Sequence, residues 1–170
     1  MIARSLDVVV LLKLLLGGDK TYAQLSQDIG ISASEIHAAV RRCVVAGLIH
    51  PESKRPLRRP VEDYLLFGVR YAFPAKPGPI AAGVPTAYAA PLIAEQVESD
   101  DLPPVWPDAE GLARGYSIEP LHISVPRAAK ADPKLYELLA LVDALRIGRA
   151  RERKLAEGEL RKRLEHAQAD

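Results

Sequence analysis

"ISASEIHAAVRRCVVAGLI", residues 31–49, runs straight into a basic stretch bracketed by prolines, "HPESKRPLRRP", residues 50–60. Ile36, Val40 and Cys43 or Val44 recur at helical spacing and predict the buried stripe of a helix. Ser32 or Ser34 opens that helix, Gly47 ends it, and Leu48-Ile49 begins an extended segment. With the stripe turned inward, Ser34, His37, Ala38, Arg41 and Arg42 point outward. Small residues, a hydrogen-bonding group in the first turns and guanidinium groups further along form a set that suits a duplex major groove. The Ser32 and Ser34 hydroxyls, beside the free amides of the helix start, suit a phosphate. The competing interpretation is a solvated face on an interaction helix. The DNA interpretation requires that both arginines stay clear of the protein's own carboxylates.

The basic loop points the same way. Lys54, Arg55, Arg58 and Arg59 surround Pro56 and Leu57. Phosphates call for positive charge, and proline keeps a loop extended enough to follow a groove edge. A loop of this composition can also serve solubility alone. Its position directly after the 31–49 helix favours the phosphate role.

Upstream, Ser5 can cap a helix running to about Leu16, with Asp7 favourably placed in its first turn, and Gly17-Gly18-Asp19 ends it. Thr21 caps a second helix, "YAQLSQDI", with Gln24 at capping-box spacing. Leu25 and Ile29 share its apolar face, and Gly30 is a left-handed stop. The order is helix, short helix, tight turn, longer helix, then an extended piece with a basic loop. With the "AQLS" second helix, the Gly-Ile-Ser turn and the closing Ala-Gly-Leu-Ile, residues 5–60 resemble the winged helix-turn-helix transcriptional regulators, broadly of the MarR-like kind. The resemblance implies a DNA-binding domain whose third helix enters the groove. One departure is visible. Three prolines in "HPESKRPLRRPVE" are poor strand residues, which predicts a wing that is short, irregular or partly disordered.

Beyond Pro60, "VEDYLLFGVRYAF" has helical spacing and should end before Pro74. "PAKPGPIAAGVPTAYAAPLIAEQV" carries five prolines and little charge, which predicts an extended surface linker. "DLPPVWPDAEG" reads as another loop, and "LARGYSIEPL" supplies one strand. Ser124 caps a short helix, and Asp132-Pro133 starts a longer one whose Leu135, Leu138, Leu139, Val142 and Leu145 form an apolar stripe. Leu155, Leu160 and Leu164 extend the apolar pattern, with Glu157–Arg161 and Glu159–Arg163 at favourable spacing. The expected fold is mainly α: a winged helix-turn-helix domain at 1–60, a helix plus a Pro-rich extended segment at 61–121, and a helical dimerisation or partner region at 122–170.

Net charge over the 170 residues is +1, but residues 1–60 hold nine Lys/Arg against five Asp/Glu, while residues 61–148 hold seven against twelve. A basic first third on an acidic body suits contact with a polyanion. Cys43 is the only cysteine, so no intrachain disulfide can form, and a reducing, cytoplasmic setting fits. It reads as a small buried hydrophobe. The four histidines are not spaced for a metal, and no cofactor motif is present. The run "LDVVVLLKLLL" is too short to span a bilayer, so no membrane partner is expected. No convergent polar cluster argues for an enzyme. Arg149, Arg151, Arg153 and Lys154 are either a second nucleic-acid contact or a solvated face.

Two functions follow as expectations. The first is a sequence-specific regulator, a repressor that binds double-stranded DNA as a homodimer held by the C-terminal leucines and acts by occupying an operator. The second is an antitoxin-like module whose Pro-rich middle and C-terminal helices wrap a partner protein.

Overall fold

The computed structural model describes residues 3–167, so the outermost residues of the expected domains, 1–2 and 168–170, lie outside it. Helix predominates, with nine α-helices and one three-stranded sheet among the described residues.

The first helix, α1 (Ser5–Leu15), is buried on every side from Val8 to Leu12. A helix apolar all round must be covered all round. One side of α1 takes α3 (Ala33–Val45) and another takes α8 (Pro133–Ile147). The helix begins one residue earlier than its sequence suggests: Arg4 is the cap, and its N–H donates to the Asp7 carboxylate at 2.9 Å. Ser5 is the first helical residue rather than the cap.

The second helix, α2 (Tyr22–Ile29), opens on the expected capping box. The Gln24 N–H donates to the Thr21 hydroxyl at 3.2 Å, and the Thr21 N–H donates to the Gln24 side-chain oxygen at 2.8 Å. Gly30 then takes φ +83°, a left-handed conformation that strains any residue with a Cβ. This lets the chain turn directly into α3. Ile36, Ala39, Val40 and Cys43 form the buried side of α3.

After Gly47 the chain makes a minimal hairpin. Leu48 and Ile49 stay tied to the end of α3 through the Cys43 carbonyl, and Ile49 pairs antiparallel with Pro56. The His50 N–H donates to the Arg55 carbonyl at 2.9 Å, and the Leu57 N–H donates to the Leu48 carbonyl at 2.8 Å. Proline is tolerated here because the two hydrogen bonds of this rung are made by its neighbours Arg55 and Leu57, so its missing N–H is not needed. The expectation of a short element is met.

The segment after Pro60 is helical, as its spacing predicts, and is divided at Gly68 into α4 (Arg58–Phe67) and α5 (Val69–Ala72). The proline-rich middle is not an extended surface linker. It forms β1 (Ile80–Pro85), a 3-10 turn (Ala87–Ala89), α6 (Pro91–Ala94), β2 (Pro104–Pro107) and β3 (Ala113–Ser117). "DLPPVWPDAEG" therefore contains a strand, and the strand expected in "LARGYSIEPL" is present. β1 runs antiparallel to both other strands, β2 runs parallel to β3, and the three close into a ring.

Proline lacks only a donor, and these prolines serve as acceptors. The carbonyls of Pro79, Pro103 and Pro104 take the N–H groups of Ser117, Tyr116 and Thr86, each at 2.9 Å. The ring is tight enough that a Cβ on Gly83 would overlap the Trp106 carbonyl, and one on Gly115 the Pro103 carbonyl.

This sheet module is bolted to α8 by a buried polar cluster. Asp143 accepts hydrogen bonds from the Thr86 hydroxyl at 2.8 Å, the Trp106 indole N–H at 2.7 Å and Arg146 at 2.7 Å. Arg146 also donates to the carbonyls of Phe73 at 2.8 Å and Glu119 at 3.3 Å. Every buried charge here has partners, the condition under which burial of an ion pair is tolerable.

Asp132 caps α8 as expected, accepting the Leu135 N–H at 3.2 Å. It follows the short α7 (Val125–Ala131), where Ser124 holds the cap position but directs its hydroxyl to His122 Nδ1 at 2.8 Å. The last helix, α9 (Ala150–His166), packs on α8 and α4. One hydrophobic core runs from α1 through α9, so the three expected domains share it. Leu135, Leu138, Leu139, Val142, Leu145, Leu160 and Leu164 all lie in this core. The leucine stripe expected to hold two copies together is consumed within one chain. Among the described residues no helix is long and apolar enough to cross a membrane.

Candidate nucleic-acid interface

The site is built on α3. Four buried residues seat the helix, and the opposite side exposes Ser32, Ser34, His37 and Arg41, with Ala38 half-buried. His37 is steadied by Tyr22 of α2, whose ring meets its imidazole edge-on at 5.7 Å between centroids. Ser34, His37, Ala38 and Arg41 therefore lie along one accessible row, because residues three and four apart share a helix face.

Arg42 departs from the expectation. Its Nε lies 3.0 and 2.9 Å from the two Asp7 carboxylate oxygens, and its Nη2 lies 2.6 Å from Oδ1. The two side chains are 11% and 4% exposed. The hydrogen bond to Asp7, outweighing burial, holds the guanidinium pKa above its ordinary value. Arg42 thus clamps α3 to the start of α1 and offers no donor set to a duplex. Residue 42 sits about 100° around the helix from residue 41, far enough to place it over Asp7. Cys43, next to this pair, is buried, and burial followed by the Asp7 charge pushes its thiol up to about 12. It is the small buried hydrophobe its position suggested.

The start of α3 also departs from the expectation. Ser32 closes a capping box with Glu35: the Glu35 N–H donates to the Ser32 hydroxyl at 3.3 Å, and the Ser32 N–H and hydroxyl donate to the Glu35 carboxylate at 3.1 and 2.9 Å. These bonds from Ser32, with a smaller contribution from the charge of nearby His122, hold the Glu35 carboxyl below its ordinary pKa. A carboxylate therefore occupies the positive end of the helix dipole, where a phosphate was expected. The Ser34 hydroxyl lies 3.1 Å from that of Ser32.

In the hairpin, Lys54 and Arg55 are exposed at the tip, and Arg59 is exposed on the first turn of α4. The tip is shaped by His50, whose Nδ1 accepts the N–H groups of Glu52 at 3.3 Å and Ser53 at 3.2 Å. Lys54 has φ +56° and bends its ammonium back to the Pro51 carbonyl. Arg58 is half-buried and lies 3.5 Å from Glu165 of α9, so it belongs to the contact between α4 and the last helix. At the other basic cluster, Arg149 meets Asp101 at 3.3 Å and Arg153 donates to the Gly148 carbonyl at 3.1 Å, while Arg151 and Lys154 remain exposed.

Of the ten residues proposed from sequence, Ser34, His37, Ala38, Arg41, Lys54, Arg55 and Arg59 stay accessible on α3 and the hairpin. Arg42 and Arg58 are held by carboxylates, and Ser32 is engaged in its own cap.

Two further groups bear on the site that the sequence does not reveal. Lys13 of α1 sits between Asp132, to which it donates, and Asp28 of α2 at 3.4 Å. It ties α2 to the joint between α7 and α8. Arg127 of α7 lies across the turn between α2 and α3, its Nη1 3.2 Å from where a Cβ on Gly30 would stand. Both links join residues about a hundred positions apart, and neither carries a local pattern.

Compared with family models, with curated protein sequences and with solved structures, the chain finds no match.

Proposed function

We propose that this protein binds double-stranded DNA, reading it with the exposed row of α3 and gripping phosphates with the hairpin, and that it regulates transcription by occupying its site. The observation that carries this is the open row Ser34–His37–Ala38–Arg41 on a helix set by a tight Gly30 turn and followed at once by exposed Lys54, Arg55 and Arg59. Helix, turn, helix and basic hairpin occur in the order of a winged helix-turn-helix. The reading differs from its sequence form in three respects. The requirement that both arginines stay clear of the protein's own carboxylates is not met, because Asp7 holds Arg42, and base contact now rests on Arg41 alone. The phosphate contacts come from the hairpin rather than from the start of α3. The buried C-terminal leucines are not free to join two copies, so a homodimer requires another surface.

The partner-wrapping alternative rested on an extended middle segment. That segment is folded onto α8 of its own chain, which leaves the alternative without this support.

The test is binding to duplex from the region upstream of the protein's own gene, against an unrelated duplex of equal length, across a salt series. The expected result is a linear fall of log affinity with log salt, about 0.9 per phosphate contacted. Replacing Arg41 with alanine is expected to cost roughly tenfold or more on the preferred duplex and to narrow the gap between the two. Equal, salt-insensitive or absent retention of both duplexes overturns the reading.

A further inference from the structure

Arg127 stands apart from the other cations around α3. It comes from α7, in the third of the expected segments, yet its guanidinium lies over the Gly30 turn that precedes α3. It is exposed and makes no ion pair or side-chain hydrogen bond among the described residues. Other cations facing this part of the molecule are committed: Lys13 to Asp28 and Asp132, Lys20 to Asp28, Lys130 to Asp108. The Gly30 turn leaves no side chain between Arg127 and the start of α3, and a Cβ there would press on the guanidinium.

The opposite end of α3 carries the hairpin, tied to that helix through the Cys43 carbonyl at 2.9 Å from the Leu48 N–H. The 13 residues of α3 rise about 20 Å from end to end. A major groove is about 12 Å wide between its two phosphate walls. Being longer than the groove is wide, the helix brings one end near each wall when it is seated obliquely.

We infer that Arg127 is a DNA-phosphate ligand that grips the wall opposite the hairpin, making the DNA-binding surface a joint product of residues 31–59 and α7. This rests on the α3 reading above and adds a contact that a fragment ending near residue 60 would lack. An arginine suits the role because its planar fork of donors matches a phosphate and keeps its charge at every accessible pH. A phosphate contact carries no base information, so its loss weakens binding to all sequences alike.

The experiment compares wild type, Arg127→Ala, Arg127→Lys and Arg41→Ala as full chains, on the upstream and unrelated duplexes, with a salt titration and a melting curve for each. The expected result for Arg127→Ala is an equal loss on both duplexes and a log–log salt slope shallower by about 0.9. Melting should be unchanged, and Arg127→Lys should restore most of the slope. Arg41→Ala should instead reduce discrimination. If wild type binds DNA and Arg127→Ala keeps the same slope, with or without a lower melting temperature, the Arg127 contact is wrong and the α3 reading stands. If wild type binds no duplex even at low salt, both fall together.

Discussion

Arg41 and Arg42 are adjacent in sequence and differ in every physical respect that matters. Arg41 is in solvent, whereas Arg42 is locked to Asp7 by three short contacts at 2.6–3.0 Å in a nearly water-free setting. Breaking a buried pair leaves one charge without compensation and typically costs 3–5 kcal/mol. Arg42→Ala is therefore expected to lower stability by about 3 kcal/mol in denaturant titration, while the remaining folded protein keeps its DNA affinity. Arg41→Ala is expected to change stability by less than about 0.5 kcal/mol and to act on binding alone. A double variant would confuse the two effects, because loss of DNA retention would follow from unfolding. Glu35 adds a second residue-scale expectation. Its carboxylate sits at the start of the helix that faces the polyanion. Glu35→Gln keeps the capping geometry and removes a repulsion, so affinity for any duplex should rise severalfold at low salt and converge with wild type at high salt, as read by a salt titration.

At the scale of elements, α1 is the member on which the others depend. It is covered by α3 on one side and α8 on another, and Lys13 near its end is bonded to Asp132 and Asp28. Burial opposes the charged form of Asp132, but the Lys13 ammonium and the Leu135 N–H outweigh it and hold the carboxyl below its ordinary pKa. Asp28 is also held low, first by its bond from Lys20. Lys13 loses something to burial, yet its two carboxylates keep it above its ordinary value.

A depressed carboxylate contributes stability that is present above the unfolded value near pH 4 and disappears as the pH falls through the folded value. The raised Lys13 contributes stability below about pH 10.4 that disappears as the pH rises through its folded value. Stability should therefore be flat near neutrality and fall at both extremes. Asp132→Asn keeps the cap on α8, since asparagine caps as well as aspartate. It removes the charge that Lys13 needs. The expected loss is on the order of 1 kcal/mol at pH 7, because Asp28 stays within reach. The acid limb should become shallower, as measured by denaturant titration between pH 3 and 7.

At the scale of the whole molecule, the helices around α3 cannot be detached from the rest. Val8 to Leu12 are fully buried, and part of that cover is α8. A fragment of residues 1–60 would leave an apolar side of α1 open to water, and should show no cooperative melting transition and a tendency to associate. The sheet module hangs on Asp143 in the same way. Asp143→Ala removes the acceptor of Thr86, Trp106 and Arg146 and strands a guanidinium that is only 4% exposed. A loss of about 3–5 kcal/mol is expected, with a red shift of Trp106 fluorescence as the indole gains water. A pronounced loss of melting temperature with the Trp106 spectrum unchanged would contradict this placement.

The sequence by itself determined the capping box at Thr21, the left-handed turn at Gly30, the buried side of α3, the short hairpin and the start of α8 at Asp132. Each is a matter of hydrogen bonds and side-chain periodicity within a few residues, where spacing along the chain and distance in space are nearly the same thing. Only the tertiary structure decided that Asp7 captures Arg42 and leaves Arg41 free, that the C-terminal leucines are covered by their own chain, and that a proline-rich stretch closes into a ring of strands through its carbonyls. These outcomes depend on which distant groups arrive within a few ångströms of one another, and on how much water is then excluded, which local pattern does not encode.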